Sequence, residues 1–221
     1  MLSSNTEYLS DVRIEEEANA LLGQARARGL QTEPPIPVED ILEQVLGLFL
    51  RFDNLGADEL GRLEIPLRLV TINEFLLPEV TPGLEGRYRF TVAHEIGHWC
   101  LHRSLAHPLP CRTCSTPRKP RMEIQADRFA TCLLMPRWDV LEAWRDDQWL
   151  SPPWDRLMPV SDIMSRAQDR GERETEDDSA TAAVRRLADM FGVSLQAMTI
   201  RLEQLHLRAR RGQPGLARVR F

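Results

Sequence analysis

The spacing of apolar residues along the chain predicts a mostly helical protein with one small sheet. Ile14, Ala18, Leu21 and Leu22 recur at helical spacing, whereas short alternating or continuous apolar runs are typical of strands. Helices are predicted over about residues 11–28, 38–45, 86–103, 121–135, 138–144, 179–191 and 194–205. Three short strands are predicted over about residues 47–52, 62–65 and 67–72, with Pro66 at a sheet edge. The expected fold class is therefore α+β.

Breaks in this pattern divide the chain. Residues 171–178 are polar and mostly acidic, which is typical of a flexible linker. We therefore expect one main domain over residues 1–170 and a helical segment over residues 179–221 that ends in a basic tail. The last two helices are typical of a helix-turn-helix, with a tight turn at Gly192 and an N-cap at Ser194. We expect this pair to pack on the main domain.

Composition and charge exclude several classes of protein. The chain has 221 residues, of which 43% are apolar, and a formal net charge of -5. This balance excludes a basic nucleic-acid surface over the whole molecule, although not a local one. No apolar run approaches the roughly 18 residues of a membrane span, and no secretion signal opens the chain. We expect a cytoplasmic protein without a membrane partner, in which clustered cysteine and histidine indicate metal binding or reactivity.

Residues 94–98 form an HExxH motif, which carries the clearest chemistry in the sequence. Residues four apart on a helix project from one face, so His94 and His98 can bind one zinc ion. Glu95 is then placed to take a proton from a water molecule at the metal. The ordinary alternative is a surface helix with two exposed histidines. Apolar residues crowd the motif and predict instead a buried helix, in which imidazoles need partners.

A catalytic zinc ion needs a third protein ligand and an open position. His102 lies about 6 Å beyond His98 along a straight helix, so we expect it beside the site rather than on the ion. Glu123 and Asp127 are four apart on the next predicted helix and share a face. Glu123 as the ligand, with Asp127 bonded to a ligating histidine, is an arrangement that orients a zinc site. The alternative is a pair of salt-bridging acids on a solvated helix.

Three longer strings surround these residues. They are Arg-Phe-Thr-Val-Ala-His-Glu-Ile-Gly-His at 89–98, Glu-Ile-Gln-Ala-Asp-Arg-Phe-Ala at 123–130 and Leu-Leu-Met-Pro at 133–136. Together they resemble the ImmA/IrrE family of zinc metallopeptidases, over about residues 11–207. The resemblance implies a zincin-like core with one catalytic zinc ion, in which His94, His98 and Glu123 are the ligands and Glu95 is the base.

The resemblance also implies a substrate. Family members are site-specific endopeptidases that cleave a transcriptional repressor, often a helix-turn-helix protein encoded beside them, and so release genes for phage excision, DNA-damage response or defence. The alternative is a DNA-binding regulator with a non-catalytic zinc site, which would expose Gln196, Thr199 and Arg201 on its second C-terminal helix. Glu95 favours the peptidase, because a structural zinc site is closed by four ligands and has no use for a neighbouring carboxylate.

Peptide hydrolysis also needs a donor that stabilises the tetrahedral oxyanion besides the metal. Tyr88, Arg89 and His102 lie close enough to the motif in sequence to be candidates. The sequence does not separate them.

The segment between the two predicted ligand helices, residues 102–122, is basic and contains no acidic residue. Its cations are Arg103, Arg112, Arg118, Lys119 and Arg121. Such a patch beside a zinc site can bind single-stranded nucleic acid or an acidic peptide. A solvated, extended loop explains the same composition.

Cys111 and Cys114 form a Cys-x-x-Cys motif in this segment, for which a disulfide, a redox pair and a second zinc site are alternatives. A four-cysteine zinc site is weakly supported, because Cys100 and Cys132 lie on helices predicted to be buried. A sharper hypothesis is that Cys111 or Cys114 occupies the open position of the catalytic zinc ion. The enzyme would then be latent until a ligand such as single-stranded DNA removes the loop.

Overall fold

The computed structural model of the protein describes residues 9–104, 109–112, 120–146 and 182–207. The chain divides into two compact units, one made of Met1–Pro136 with Phe191–Val193 and the other of Arg137–Met190 with Ser194–Phe221. The predicted linker at residues 171–178 and the basic tail lie outside the described residues, so the predicted domain boundaries stay predictions.

The predicted helices are all present in the described residues, and their ends lie within three residues of the predicted ones, except at residue 182, where the described part of a helix begins. They are α1 (Asp11–Ala27), α2 (Val38–Asp40, continued by a π-helical turn over Ile41–Val45), α3 (Glu85–His102), α4 (Arg121–Leu134), α5 (Arg137–Asp146), α6 (residues 182–191) and α7 (Leu195–Gln204). None of these helices has both the length and the apolar character needed to cross a bilayer. Together with the small sheet, they confirm the α+β fold class.

Helix α1 begins at a side-chain cap and buries one face. The Ser10 hydroxyl accepts the backbone N–H of Arg13 at 3.2 Å, which satisfies a donor left open at the helix start. Asp11 pairs with Arg128 of α4 at 3.3 Å, and the two helices pack together. The apolar face that α1 buries consists of Ile14, Ala18, Leu21, Leu22 and Ala25.

The sheet contains the three predicted strands and a fourth. In the part of the chain that the structure describes, β1 (Phe49–Asp53), β2 (Glu59–Glu64), β3 (Leu69–Asn73) and β4 (Leu109–Arg112) lie in the order β1-β3-β2-β4. Strand β3 is parallel to β1 and antiparallel to β2, and β4 pairs antiparallel with β2. The sequence does not predict β4, because Pro110 within it lacks a ladder donor and is tolerated only on an edge strand such as this one.

Pro66 does not lie at a sheet edge, so that prediction is wrong. It lies in a 3-10 turn, Ile65–Leu67, between β2 and β3. Proline has a fixed φ and no N–H, and both properties suit a turn as well as an edge. Arg68 follows the turn, and its guanidinium donates to the carbonyls of Leu46 and Gly47, which ties the turn to the segment before β1.

Strand β2 packs against α3 and thereby brings the sheet to the HExxH helix. Gly61 and Leu63 are buried, whereas the residues beside them on β2 are half-buried, which is the alternation of a strand with one face on a core. The register with β4 shifts between Glu59 and Gly61. Such a bulge bends a strand locally.

Helices α3 and α4 cross closely at Gly97. A Cβ atom at this position would lie 3.2 Å from both the Cα and the carbonyl oxygen of Ala126, and 3.2 Å from the Cβ of Phe129. Gly97 lies within the HExxH motif, and Ala126 lies between the two predicted acids of α4. The crossing therefore sets the distance between the predicted histidine and glutamate ligands.

In the second unit, helix α7 starts at the predicted N-cap. The Ser194 hydroxyl accepts the backbone N–H of Ala197 at 3.1 Å. Gly192, in the turn before it, has a φ of 61°, which glycine adopts without steric cost. Both features agree with the predicted pair of helices joined by a tight turn.

The recognition face required by the DNA-binding alternative is only partly present on α7. Gln196 is exposed and Thr199 is half-buried, but Arg201 is fully buried. The expected exposure of Arg201 is therefore wrong. Its position, three residues after Met198 and beside Leu202, places it on the buried face of the helix, and helical periodicity outweighs its charge.

Substitution of Gly97 by alanine tests the close crossing of α3 and α4. The added methyl group meets backbone atoms of α4, which cannot move aside without moving the helix. We expect Gly97→Ala to lower the free energy of unfolding by about 1–3 kcal/mol, measured by urea unfolding of the metal-free protein. Gly23→Ala in α1 is the matched control, because nothing lies within 4 Å of a Cβ there. Equal stability of the two variants would contradict the crossing.

Candidate metal centre

Three side chains from α3 and α4 converge in the first unit. His94 Nε2 and His98 Nε2 lie 3.0 Å apart. Glu123 Oε2 lies 3.3 Å from His94 Nε2, and Glu123 Oε1 lies 3.2 Å from His98 Nε2. Both histidines are buried, and the Glu123 side chain is 12% exposed. The structure thus brings the three predicted ligands into one buried group that could hold a metal ion.

The geometry of this group fits zinc. Ligands placed tetrahedrally at 2.0–2.1 Å from an ion are about 3.3 Å from one another, close to the three separations found here. Two imidazoles and one carboxylate also form a donor set that occurs in catalytic zinc sites. His94 and His98 of α3, with Glu123 of α4, are therefore the residues that would hold the ion.

The protonation states favour metal binding. Burial lowers the pKa of His98, and the contact with Glu123 opposes that shift without reversing it, so the neutral imidazole that binds metal is favoured. Burial alone would raise the pKa of Glu123. Its contacts with the rings of His94 and His98 outweigh burial and hold the pKa of Glu123 well below its ordinary value, so this carboxylate is ionised.

Asp127 orients His94. Its Oδ1 lies 2.9 Å from His94 Nδ1, on the far side of the ring from the nitrogen that faces Glu123. An Nδ1–H that donates to Asp127 leaves the Nε2 lone pair directed at the metal position. The i, i+4 spacing of Glu123 and Asp127 on α4 thus places one carboxylate on each nitrogen of the same ring.

His102 and Gln125 orient His98 in the same way. His98 Nδ1 lies 3.1 Å from His102 Nδ1, and His102 Nε2 lies 2.9 Å from Gln125 Oε1. Because Gln125 Oε1 can only accept, His102 donates from Nε2 and accepts at Nδ1, which assigns the His98 proton to Nδ1 and leaves Nε2 for the metal. Burial lowers the pKa of His102 despite its hydrogen bond to Gln125. The ring is therefore neutral, as the hydrogen bonds from His98 to Gln125 require. His102 lies behind His98, beside the ligand group.

Gln125 is a functional residue that the sequence analysis missed. It is 5% exposed and lies on α4 between the two acids. A signal was available in the sequence, because a polar residue on the buried face of an amphipathic helix needs a partner. The partner itself, 23 residues away on another helix, is not visible in local spacing.

Glu95 lies on α3 next to His94 and is fully buried. Its carboxylate lies against Gly61 of β2, so the sheet forms one wall of its environment. The structure therefore places the predicted base in the protein interior, on the ligand helix α3 and against strand β2 of the sheet.

Two of the three oxyanion candidates make structural contacts. The Tyr88 hydroxyl donates to Glu39 at 2.5 Å, and burial together with this bond raises the pKa of Tyr88. Arg89 donates to the carbonyl oxygens of Ile36 at 2.6 Å and Gly192 at 3.0 Å. Tyr88 and Arg89 thus hydrogen-bond to other segments of the first unit. The third candidate, His102, lies between His98 and Gln125 and contacts both.

The basic segment is described only in part. Arg103 is exposed just after α3, Arg112 ends β4, and Arg121 is the exposed first residue of α4. Arg118 and Lys119 lie outside the described residues. The predicted patch therefore stays a prediction.

The structure describes the side-chain environments of two cysteines, Cys100 and Cys132. Cys132 is buried as expected, but Cys100 is only partly buried. Burial of its thiol nevertheless raises the pKa of Cys100 to about 12, which makes the thiol unreactive near neutral pH. Cys111 belongs to β4, and Cys114 lies outside the described residues.

Comparison with protein families identifies the segment that carries this group. Residues 84–152 match the family model of the M78 peptidases, described as an IrrE N-terminal-like domain. Over this segment the chain is similar to IrrE N-terminal-like domains. The resemblance to the ImmA/IrrE family is thus confirmed over a range that includes the HExxH motif, Glu123 and Asp127. A comparison with curated proteins finds no significant match. The match supports a peptidase, and the matched segment contains the buried group that could bind metal.

Removal of the Asp127 carboxylate tests how the metal centre orients its ligands. We expect Asp127→Ala to weaken zinc binding by about 10–100-fold, because His94 loses the acceptor that fixes its ring. Competition with a coloured chelator measures this affinity. Glu33→Ala, which removes an exposed acid from the same unit, is the control and should bind zinc like the unaltered protein. Equal affinities for both variants would show that Asp127 has no orienting role.

Proposed function

We propose that the protein is a zinc-dependent endopeptidase that cleaves a helix-turn-helix transcriptional repressor. One observation carries the proposal: the ligand atoms of His94, His98 and Glu123 converge at zinc-like separations, and Glu95, the residue next to His94 on α3, is fully buried. The IrrE N-terminal-like match of the same segment supports the peptidase class.

The chain's own residues divide the reaction between them. Zinc, when bound by the three ligands, supplies a Lewis acid that polarises the scissile carbonyl and lowers the pKa of a water molecule. Glu95 accepts the proton of the attacking water at its carboxylate and passes it to the leaving amine. Asp127 and His102 keep the rings of His94 and His98 in the ligating orientation. Burial of Glu95 excludes bulk water from the proton transfer.

The repressor substrate rests on the family resemblance. A repressor of this class would link cleavage to the release of phage, DNA-damage or defence genes in the cytoplasm. The competing function, a DNA-binding regulator with a closed zinc site, requires a fourth protein ligand. Within the described residues the ligand group consists of His94, His98 and Glu123 alone. The burial of Arg201 removes one of the three DNA-contacting residues which that function assumed.

The proposal includes latency imposed by the segment between α3 and α4. Strand β4 occupies the edge of β2, and the register pairs Cys111 with Gly61, the residue that lies against Glu95. This pairing brings the backbone of the cysteine-containing segment to the strand beside the proposed base. Cys111, or Cys114 three residues later, is the proposed inhibitory zinc ligand. Single-stranded DNA bound by the basic residues would withdraw the segment.

Substitution of Glu95 tests the peptidase. We expect Glu95→Gln to keep zinc and to lose cleavage of the helix-turn-helix repressor encoded by the neighbouring gene by at least about 100-fold, because the amide cannot accept the proton. Electrophoresis and mass spectrometry of the reaction products measure cleavage. Glu85→Gln, an exposed acid on the same helix, is the control and should cleave normally. Persistent cleavage by Glu95→Gln would refute the base assignment.

Substitution of the loop cysteines tests latency. If one thiolate blocks the zinc ion, Cys111→Ala or Cys114→Ala raises basal repressor cleavage in the absence of DNA. Cys100→Ala, which alters a thiol of α3, is the control and should leave the basal rate unchanged. The latency proposal is wrong if both loop variants cleave at the basal rate of the unaltered protein.

A further inference from the structure

We propose that Gly61 of β2 is a positioning residue for Glu95: its missing side chain leaves the space that the Glu95 carboxylate occupies. The inference rests on the proposed function, in which Glu95 is the general base. It concerns a residue of the sheet, whereas the ligands and the base all lie on helices.

The space at Gly61 is already filled by two side chains of α3. A Cβ atom there would lie 2.8 Å from Glu95 Oε1, 3.3 Å from Glu95 Cγ and 2.9 Å from Thr91 Cγ2. Glu95 is 0% exposed and Thr91 is 3% exposed, so neither can turn into solvent to avoid the contact. Even the smallest side chain at Gly61 must therefore displace one or both of them.

The φ angle of Gly61 does not require glycine. Gly61 is not among the glycines with positive φ, in contrast to Gly47 and Gly56 on either side of β1. Glycine in a strand interior is unfavourable, because it restricts the chain more than other residues do and packs no side chain. The close approach of β2 to Glu95 is thus the feature that requires glycine here.

The two contacts differ in stiffness. Thr91 is β-branched, and its hydroxyl donates to the carbonyl of Arg87 at 2.9 Å, so its methyl group is held in place. The Glu95 carboxylate lies at the end of a longer, flexible side chain. A methyl group at Gly61 is therefore expected to strain the contact with Thr91, which lowers stability, and to displace the carboxylate of Glu95, which lowers catalysis.

None of the three atoms nearest a Cβ at Gly61 belongs to a zinc ligand, since they belong to Glu95 and Thr91. Displacement of a catalytic group by about 1 Å can reduce a rate by about 100-fold. Gly61→Ala should thus lower kcat strongly while zinc affinity and KM stay unchanged. This combination differs from that of a general packing defect, which would weaken zinc binding as well.

The experiment compares Gly61→Ala, Thr91→Ser and the double variant, with Gly23→Ala as the matched control. Repressor cleavage gives kcat and KM, chelator competition gives zinc affinity, and thermal unfolding gives stability. We expect Gly61→Ala to lose about 100-fold in kcat and to melt at a lower temperature. Thr91→Ser removes the methyl group and keeps the hydroxyl, so the double variant should regain the melting temperature but not kcat.

A crystal structure of zinc-loaded Gly61→Ala adds a readout that does not depend on activity. We expect the three ligands to be unmoved and the Glu95 carboxylate to be displaced. An unmoved carboxylate, an unchanged kcat, or a kcat restored by Thr91→Ser would each overturn the proposal. If the unaltered protein cleaves no repressor, the proposed function fails, and the crystal structure still decides whether Gly61 sets the position of Glu95.

Discussion

The site depends on the close contact between α3 and α4 at Gly97. Each helix carries its functional residues at i, i+4 spacing, and neither helix holds a complete ligand set. The absence of a side chain at Gly97 lets the backbone of Ala126 approach, and this approach brings Glu123 within 3.3 Å of both imidazoles. A larger separation between the helices would leave two histidines without a carboxylate, however well each helix were formed.

Glycine recurs where the site meets its surroundings, and each time for the same steric reason. Gly97 admits the neighbouring helix, and Gly61 admits the side chain of Glu95. Around these two points, polar contacts complete the ligands: Asp127 holds His94, and the chain from His102 to Gln125 holds His98. The positions of the side chains in the site therefore depend on the absence of a Cβ atom at Gly97 and Gly61 as much as on hydrogen bonds.

Local spacing was sufficient to predict much of this structure. The HExxH motif and the Glu123–Asp127 pair follow from helical periodicity, and so do the helices themselves. The missed features depend on contacts between distant segments: the pairing of β4 with β2, the approach of Gly61 to Glu95 and the partner of Gln125. Arg201 shows the converse error, since its charge suggested exposure while its position on α7 buries it.

His102 is both the last residue of α3 and the hydrogen-bond partner of His98. The chain leaves the helix immediately after it, at the exposed Arg103. Unwinding of that last turn would therefore break the bond that fixes the tautomer of His98. By thermodynamic reciprocity, a ligand that stabilises the last turn of α3 would raise the affinity for a metal ion, and the ion would in turn stabilise that turn.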